Sequence, residues 1–331
     1  MILFIWSKRY KSNILLFKTL QMRKSSLILL LSILGLFSCE EFGQQKETAR
    51  SNAPVFQEVI KEDYELYKPL SEVKAVLILF GGYPETIEDV KREFTILDTA
   101  RDNDIAVLFL NYNQKLWLTE DEKYELAGKL QNILIEQQLP HDNIIIGGFS
   151  SGGLVSLLIS NFIVGMKQFY IDPKAVFIAD SPIDLLALYR SSEKNIEHDF
   201  SEVSVQESSW LIEHLETHIG DPLEDIENYE DKAVFTYKTN NTSNLDKLKN
   251  TRIRFYTEPD TLWWKENRME DYEQTNAFYI EKLGESLVEK GFENVEYIPT
   301  TNKGYRANGE RHPHSWSIVD KKDLIDWILE K

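Results

Sequence analysis

The chain has 331 residues, 42% of them hydrophobic and seven of them tryptophan. That composition suits one large domain or two ordinary ones and argues against extensive disorder. The net charge of −17 repels nucleic-acid phosphates, which sets DNA and RNA aside as partners, and the single cysteine, Cys39, leaves no intrachain disulfide and no cysteine-built metal site.

The charge is unevenly spread. Residues 1–38 hold six Lys or Arg and no acid, so removing them turns −17 into −23. Arg23 and Lys24 precede the apolar run Leu27 to Phe37, broken only by Ser32 and Gly35, and Ser38 and Cys39 follow. A basic start, a short apolar core and small residues before a cut describe a secretory signal, too short for a comfortable membrane span. The segment Leu36-Phe37-Ser38-Cys39 resembles the lipobox of bacterial lipoproteins. That resemblance implies cleavage before Cys39, lipid on its thiol and new amino terminus, and a place on a membrane of the bacterial cell envelope. Met22 makes a conventional start for this signal, with residues 1–21 then an over-extended reading. Residues 39–53 are polar and read as a tether, and residues 54–331 as the folded domain.

Val55–Ile60 and Tyr64–Tyr67 read as early strands. Ala75–Phe80 is a continuous apolar run ending in Gly81-Gly82, and Ile87 to Asn103 has helical spacing. Ile105–Leu110 is the next apolar run. Thr119 to Gln138 reads as a helix opened by the capping box Thr119-Glu120-Asp121-Glu122. Ile144–Ile146 leads into Gly147-Gly148-Phe149-Ser150, and Gly152 to Met166 continues as an apolar helix before the strand Ala175–Ala179. Short apolar runs between helices are the signature of a mostly parallel sheet covered on both faces. From about 185 to 250 the pattern breaks into an acidic insertion with helix around Val205–His218, which reads as a lid. The strand Ile253–Tyr256, a helix from Tyr272 to Lys290, the strand Val295–Ile298 and a closing helix near Lys321–Leu329 follow.

Gly148-Phe149-Ser150-Ser151-Gly152 fits G-x-S-x-G between an apolar strand and an apolar helix. Such a turn exposes the serine hydroxyl above a helix amino terminus, where developing negative charge is favoured. A phosphate-binding turn would carry G-K-[ST] or G-x-G-x-x-G, and neither is present here. Through this motif, and through the order of the residues below, the chain resembles the α/β-hydrolase superfamily over most of residues 70–331. The resemblance implies about eight mainly parallel strands and a Ser-acid-His triad in that chain order. It implies an oxyanion hole built from the Ser151 N–H and a donor from Phe80-Gly81-Gly82-Tyr83, either Gly82 or Tyr83, since Pro84 has no N–H. The common HGGG form is absent, with Phe80 and Tyr83 at its ends.

The base belongs on the loop after the last strand, where Arg311-His312-Pro313-His314-Ser315-Trp316 supplies two histidines. His314 is the choice, followed by a small residue, an aromatic and a helix; His312 is the alternative. The acid is expected after the strand Ile253–Tyr256, and Asp260 in Thr257-Glu258-Pro259-Asp260 is the choice. Asp180, which ends the preceding strand, is the rival, and Asp184 a weaker third. His214 and His218 share a helix face at i, i+4, but no H-E-x-x-H accompanies them, so they read as surface residues. Trp263 and Trp264 read as core or pocket lining, and Arg306 and Arg311 as solvated residues able to attract a substrate carboxylate. The expected chemistry is ester hydrolysis through an acyl-enzyme on Ser150, needing no metal or organic cofactor, on a small-molecule or glycan-linked ester. A peptidase, or a non-catalytic binding protein on the same scaffold, are the alternatives.

Overall fold

The computed structural model describes residues 56–112 and 115–330. The chain divides between Asn52 and Ala53, and every described residue lies in the second unit. The signal, the lipidation of Cys39 and the tether lie outside the described residues.

Eight strands form one sheet: β1 (Phe56–Ile60), β2 (Tyr64–Pro69), β3 (Ala75–Phe80), β4 (Ile105–Leu110), β5 (Ile144–Phe149), β6 (Pro173–Ala179), β7 (Arg252–Thr257) and β8 (Val295–Pro299). Their spatial order is β1-β2-β4-β3-β5-β6-β7-β8. β1 pairs antiparallel with β2 and β2 with β4; every later pairing is parallel. The helices are α1 (Ile87–Glu93), α2 (Leu97–Arg101), α3 (Glu120–Glu136), α4 (Ser151–Gly165), α5 (Leu185–His198), α6 (Glu202–His218), α7 (Ile226–Lys232), α8 (Thr261–Arg268), α9 (Asn276–Glu289) and α10 (Lys321–Ile328).

The unbroken apolar runs arise because both faces of the central strands are covered. In β3, Val76, Ile78 and Phe80 join a core with α3, α4 and α9, whereas Ala75, Leu77 and Leu79 join a second core with α1, α2 and α10. β4 divides in the same way, Ala106, Leu108 and Leu110 against Ile105, Val107 and Phe109. The edge strands β1 and β8 are partly exposed, and each carries a glutamate on its accessible positions, as unpaired edges require.

Three expectations change in detail. The helix expected over 87–103 is two helices, because Phe94 turns into the core and stacks on Trp316 at 4.7 Å. The insertion between β6 and β7 is built mainly of α5, α6 and α7, with α5 capped by Asp184, whose Oδ1 accepts from the Ala187 N–H at 2.9 Å. Helix α8 was not expected; its cap is Asp260. Among the described residues no helix is long and apolar enough to cross a membrane.

Candidate active site

Ser150 stands between β5 and α4 with φ 52° and ψ −131°. A non-glycine residue held there costs about 1–3 kcal/mol, which the surrounding packing must offset. The flanking glycines allow that packing. A Cβ on Gly148 would stand 2.2 Å from the Gly152 carbonyl oxygen, and one on Gly152 would stand 2.4 Å from the carbonyl oxygens of both Phe80 and Gly81. The ends of β3 and β5 and the first turn of α4 thus meet backbone to backbone. Ser150 itself is half-buried, so its side chain remains within reach of solvent.

β5 and β6 are neighbours, with Phe149 opposite Ala179, so Ser150 and Asp180 are the first residues past the paired segment. Asp180 is fixed at φ 44°; its N–H donates to the Tyr256 carbonyl at 2.9 Å, and its own carbonyl accepts from Asn276 Nδ2 at 3.0 Å. His314 arrives on the loop after β8. Its Nδ1 meets Asp180 Oδ2 at 2.5 Å, and its ring packs on Phe149 with centroids 4.4 Å apart. The Asp180 side chain is only 6% exposed against 21% for His314, an arrangement in which a buried carboxylate orients a more accessible imidazole.

Asp260 is not beside His314, and this corrects the sequence expectation for the acid. Its Oδ1 caps α8 by accepting from the Trp263 N–H at 3.0 Å, and its Oδ2 accepts from the Arg311 guanidinium at 2.6 Å. Arg311 also pairs with Glu258 and donates to the Gly304 carbonyl at 2.8 Å. Glu258 is buried, and its Oε2 accepts from the backbone N–H groups of Lys303 and Gly304 at 2.8 and 2.7 Å. The acids after β7 therefore fasten the hairpin that carries the histidine. Asp184 is also spoken for: besides capping α5 it accepts from the Tyr237 N–H at 2.7 Å, and burial raises its carboxyl to about 6.

His312 contributes packing. Its Nδ1 accepts from the His314 N–H at 3.2 Å, and its ring lies 4.6 Å from Trp263 and 5.8 Å from Trp264. Burial, then the neighbouring charges of His314, Arg306 and Arg268, push its imidazole down to about 2, so it stays neutral.

Of the expected oxyanion donors, Ser151 heads α4, where the first N–H groups have no intrahelical acceptor. The Tyr83 N–H donates to Ser151 Oγ at 2.9 Å, which aims it at the serine turn. The Gly82 N–H is turned away, donating to Glu85 Oε2 at 2.8 Å. Glu85 also accepts from Trp316 Nε1 at 3.2 Å, which ties this loop to the histidine loop; burial raises its carboxyl above the ordinary range. Nothing about a lone Glu after a proline marks this role in the sequence. On the other side, the Tyr83 ring stacks on Trp210 of α6 at 5.1 Å, and Trp210 stacks on His214 at 5.1 Å, which brings the insertion onto the oxyanion loop.

His214 and His218 lie side by side, 4.4 Å between ring centroids, and among the described residues no group of three or more His, Cys, Asp or Glu is arranged to hold a metal ion. A surface hollow of about 480 Å³ between Tyr64 and α3 is lined by neither Ser150, Asp180 nor His314.

No protein-family model matches the chain, and no curated protein matches it in sequence. Solved structures do. Carboxyl esterase 2 of the mycorrhizal fungus Tuber melanosporum superposes with a TM-score of 0.50 at 16% identity, over 84% of this chain and 87% of that one. An esterase of Pyrobaculum calidifontis does so with a TM-score of 0.50 at 10% identity, over 81% and 80%. At such identities the likeness is one of architecture. Together with the eight-stranded, mostly parallel sheet flanked by helices, it establishes that the chain has the α/β-hydrolase fold.

Proposed function

We propose that this protein is a serine hydrolase that cleaves carboxylic esters, with Ser150 as nucleophile, His314 as general base and Asp180 as the acid. One observation carries the reading: Asp180 Oδ2 and His314 Nδ1 meet at 2.5 Å beside a serine held at positive φ between a strand and a helix. With Nδ1 engaged by the carboxylate, His314 Nε2 is left to accept the Ser150 proton. The Ser150 oxygen then attacks the carbonyl carbon. The Ser151 N–H at the head of α4 stabilises the oxyanion, joined by the Tyr83 N–H once it exchanges its bond to Ser151 Oγ for one to the substrate. His314 returns the proton to the departing alcohol, and water, activated by the same imidazole, releases the acyl group. Asp180 holds the productive tautomer and stabilises the imidazolium.

The test is turnover of p-nitrophenyl esters of two to eight carbons alongside matched p-nitroanilides. Ester cleavage that Ser150→Ala abolishes supports the reading. Anilide cleavage at comparable kcat/KM would move the protein to the peptidases. An inert wild-type chain would leave a binding protein on a hydrolase scaffold.

We also propose that Cys39 is lipidated and holds the domain on a bacterial membrane, on the strength of Leu36-Phe37-Ser38-Cys39 after a basic, apolar leader. Metabolic labelling with an alkyne fatty acid should mark the wild-type chain and not Cys39→Ser. Equal labelling of both would refute it.

A further inference from the structure

Eight arginines fall among the described residues. Six of them form ion pairs: Arg92, Arg101, Arg190, Arg252, Arg254 and Arg311. Arg268 and Arg306 form none, and their side chains make no hydrogen bond among the described residues. In a chain with 54 acidic residues against 37 basic ones, an arginine that finds no carboxylate is out of the ordinary. Both lie on segments that adjoin His312. Arg268 closes α8, whose Trp263 and Trp264 flank the His312 ring. Arg306 lies in the hairpin closed by the Tyr305–Arg311 bridge, its backbone N–H on the Glu310 carbonyl at 2.8 Å. That hairpin runs directly into His312 and His314. Both guanidinium charges bear on His312, and that of Arg306 also bears on Glu85 beneath the oxyanion loop.

Among the described residues no carboxylate near them in sequence forms an ion pair with either arginine. Glu270, two residues past Arg268, lies within reach of its charge but forms no ion pair with it and takes its hydrogen bond from Asn195 Nδ2 at 3.1 Å. Glu310, four residues past Arg306, has its Oε2 on Asn308 Nδ2 at 3.5 Å within the hairpin turn. The two guanidinium groups are partly exposed and keep their donor forks open. A planar fork of N–H donors is matched to a carboxylate, and positive charge in a locally acidic molecule is what an anionic substrate needs to approach.

We propose that Arg268 and Arg306 form an anion clamp beside the Ser150–His314 pair, and that the natural ester carries a carboxylate near its scissile bond. This rests on the hydrolase reading given above. It assigns a substrate class to that site, acidic esters over neutral ones of equal size.

The experiment compares kcat/KM of the full-length chain for two pairs of esters at low ionic strength. p-Nitrophenyl hemisuccinate against its methyl ester places the charge on the acyl side. 4-Acetoxybenzoate against its methyl ester places it on the leaving group. The expected result is a charged-to-neutral ratio of about 10 or more in one pair, shrinking in 0.5 M NaCl. That ratio should fall about fivefold in Arg306→Gln or Arg268→Gln and about tenfold or more in the double variant, and should be unmoved in Arg101→Gln, a paired arginine on α2. A ratio that survives in the double variant, or neutral esters turned over with no preference for charge in either pair, overturns the clamp and leaves the hydrolase standing. No turnover of any of the four esters overturns the hydrolase reading and the clamp with it.

Discussion

Asp180 and His314 are 134 residues apart in the chain, yet the Asp180 carboxylate meets the His314 imidazole at 2.5 Å past the ends of β6 and β8. The contact lies one strand earlier than Asp260 and underlies the proposal of Asp180 as the acid. In Asp180→Asn the geometry should persist while the tautomer fails, lowering kcat on a p-nitrophenyl ester by about 10³–10⁴. Asp260→Asn should keep kcat within about tenfold, because asparagine still caps α8, and should lower stability by about 1 kcal/mol through the lost charge on Arg311. The reverse ranking of the two variants would return the role to Asp260.

The two histidines separate in the same way. His314→Ala should lower kcat by about 10³ or more. His312→Phe keeps a ring against Trp263 and loses only the Nδ1 acceptor for the His314 N–H, so its kcat should fall by less than about tenfold. Steady-state kinetics on both variants decides between them.

Glu270 provides a pH-dependent handle on stability. Burial raises its carboxyl to about 7, opposed by the Asn195 hydrogen bond and Arg268 and reinforced by the charges of Glu207 and Asp180. A carboxyl whose pKa is higher in the folded state favours folding below the ordinary value near 4.5, and that contribution is lost as pH rises through 7. Glu270→Gln keeps an acceptor for Asn195 and cannot ionise. The variant should therefore be more stable than wild type at pH 8, by about 1–3 kcal/mol, with the gain fading between pH 7 and 4.5. Thermal melts across that range check it; a gain that does not change with pH would contradict the assignment.

Two glycines make a matched pair. Gly152→Ala would place a methyl 2.4 Å from two carbonyl oxygens of β3 and its loop, and should cost about 3 kcal/mol or more or prevent folding. A Cβ on Gly128, in the middle of α3, meets nothing within 4 Å, so Gly128→Ala should stabilise by about 0.5–1 kcal/mol. Chemical denaturation of both variants reads the difference.

Much of this was legible in the sequence, and the part that was not has a physical reason. Apolar runs such as Ala75–Phe80 and Ile105–Leu110 marked strands buried on both faces, and Gly148 and Gly152 marked the turn because no side chain fits where backbones touch. Two strand ends each offer an Asp, and chain order alone does not say that Asp180, not Asp260, meets the imidazole. A signal was present: Pro259-Asp260 followed by Thr261, Leu262 and Trp263 has the form of a helix cap, and an Asp committed to a cap is less available elsewhere. Glu85, Trp210 and Arg268 act on Trp316, Tyr83 and His312, which lie 231, 127 and 44 residues away, and no local pattern encodes such relationships. The stack of Tyr83 on Trp210, for example, joins the oxyanion loop to a helix whose sequence reads only as an acidic insertion.

The central claim is that the Ser150 hydroxyl is made nucleophilic by His314 and Asp180. Peptide mapping by mass spectrometry after exposure to a fluorophosphonate tests this most directly. The expected result is a single phosphonyl adduct on Ser150, absent in Ser150→Ala and formed far more slowly in His314→Ala and Asp180→Asn. An unlabelled wild-type protein, or equal labelling of wild type and Ser150→Ala, would contradict it.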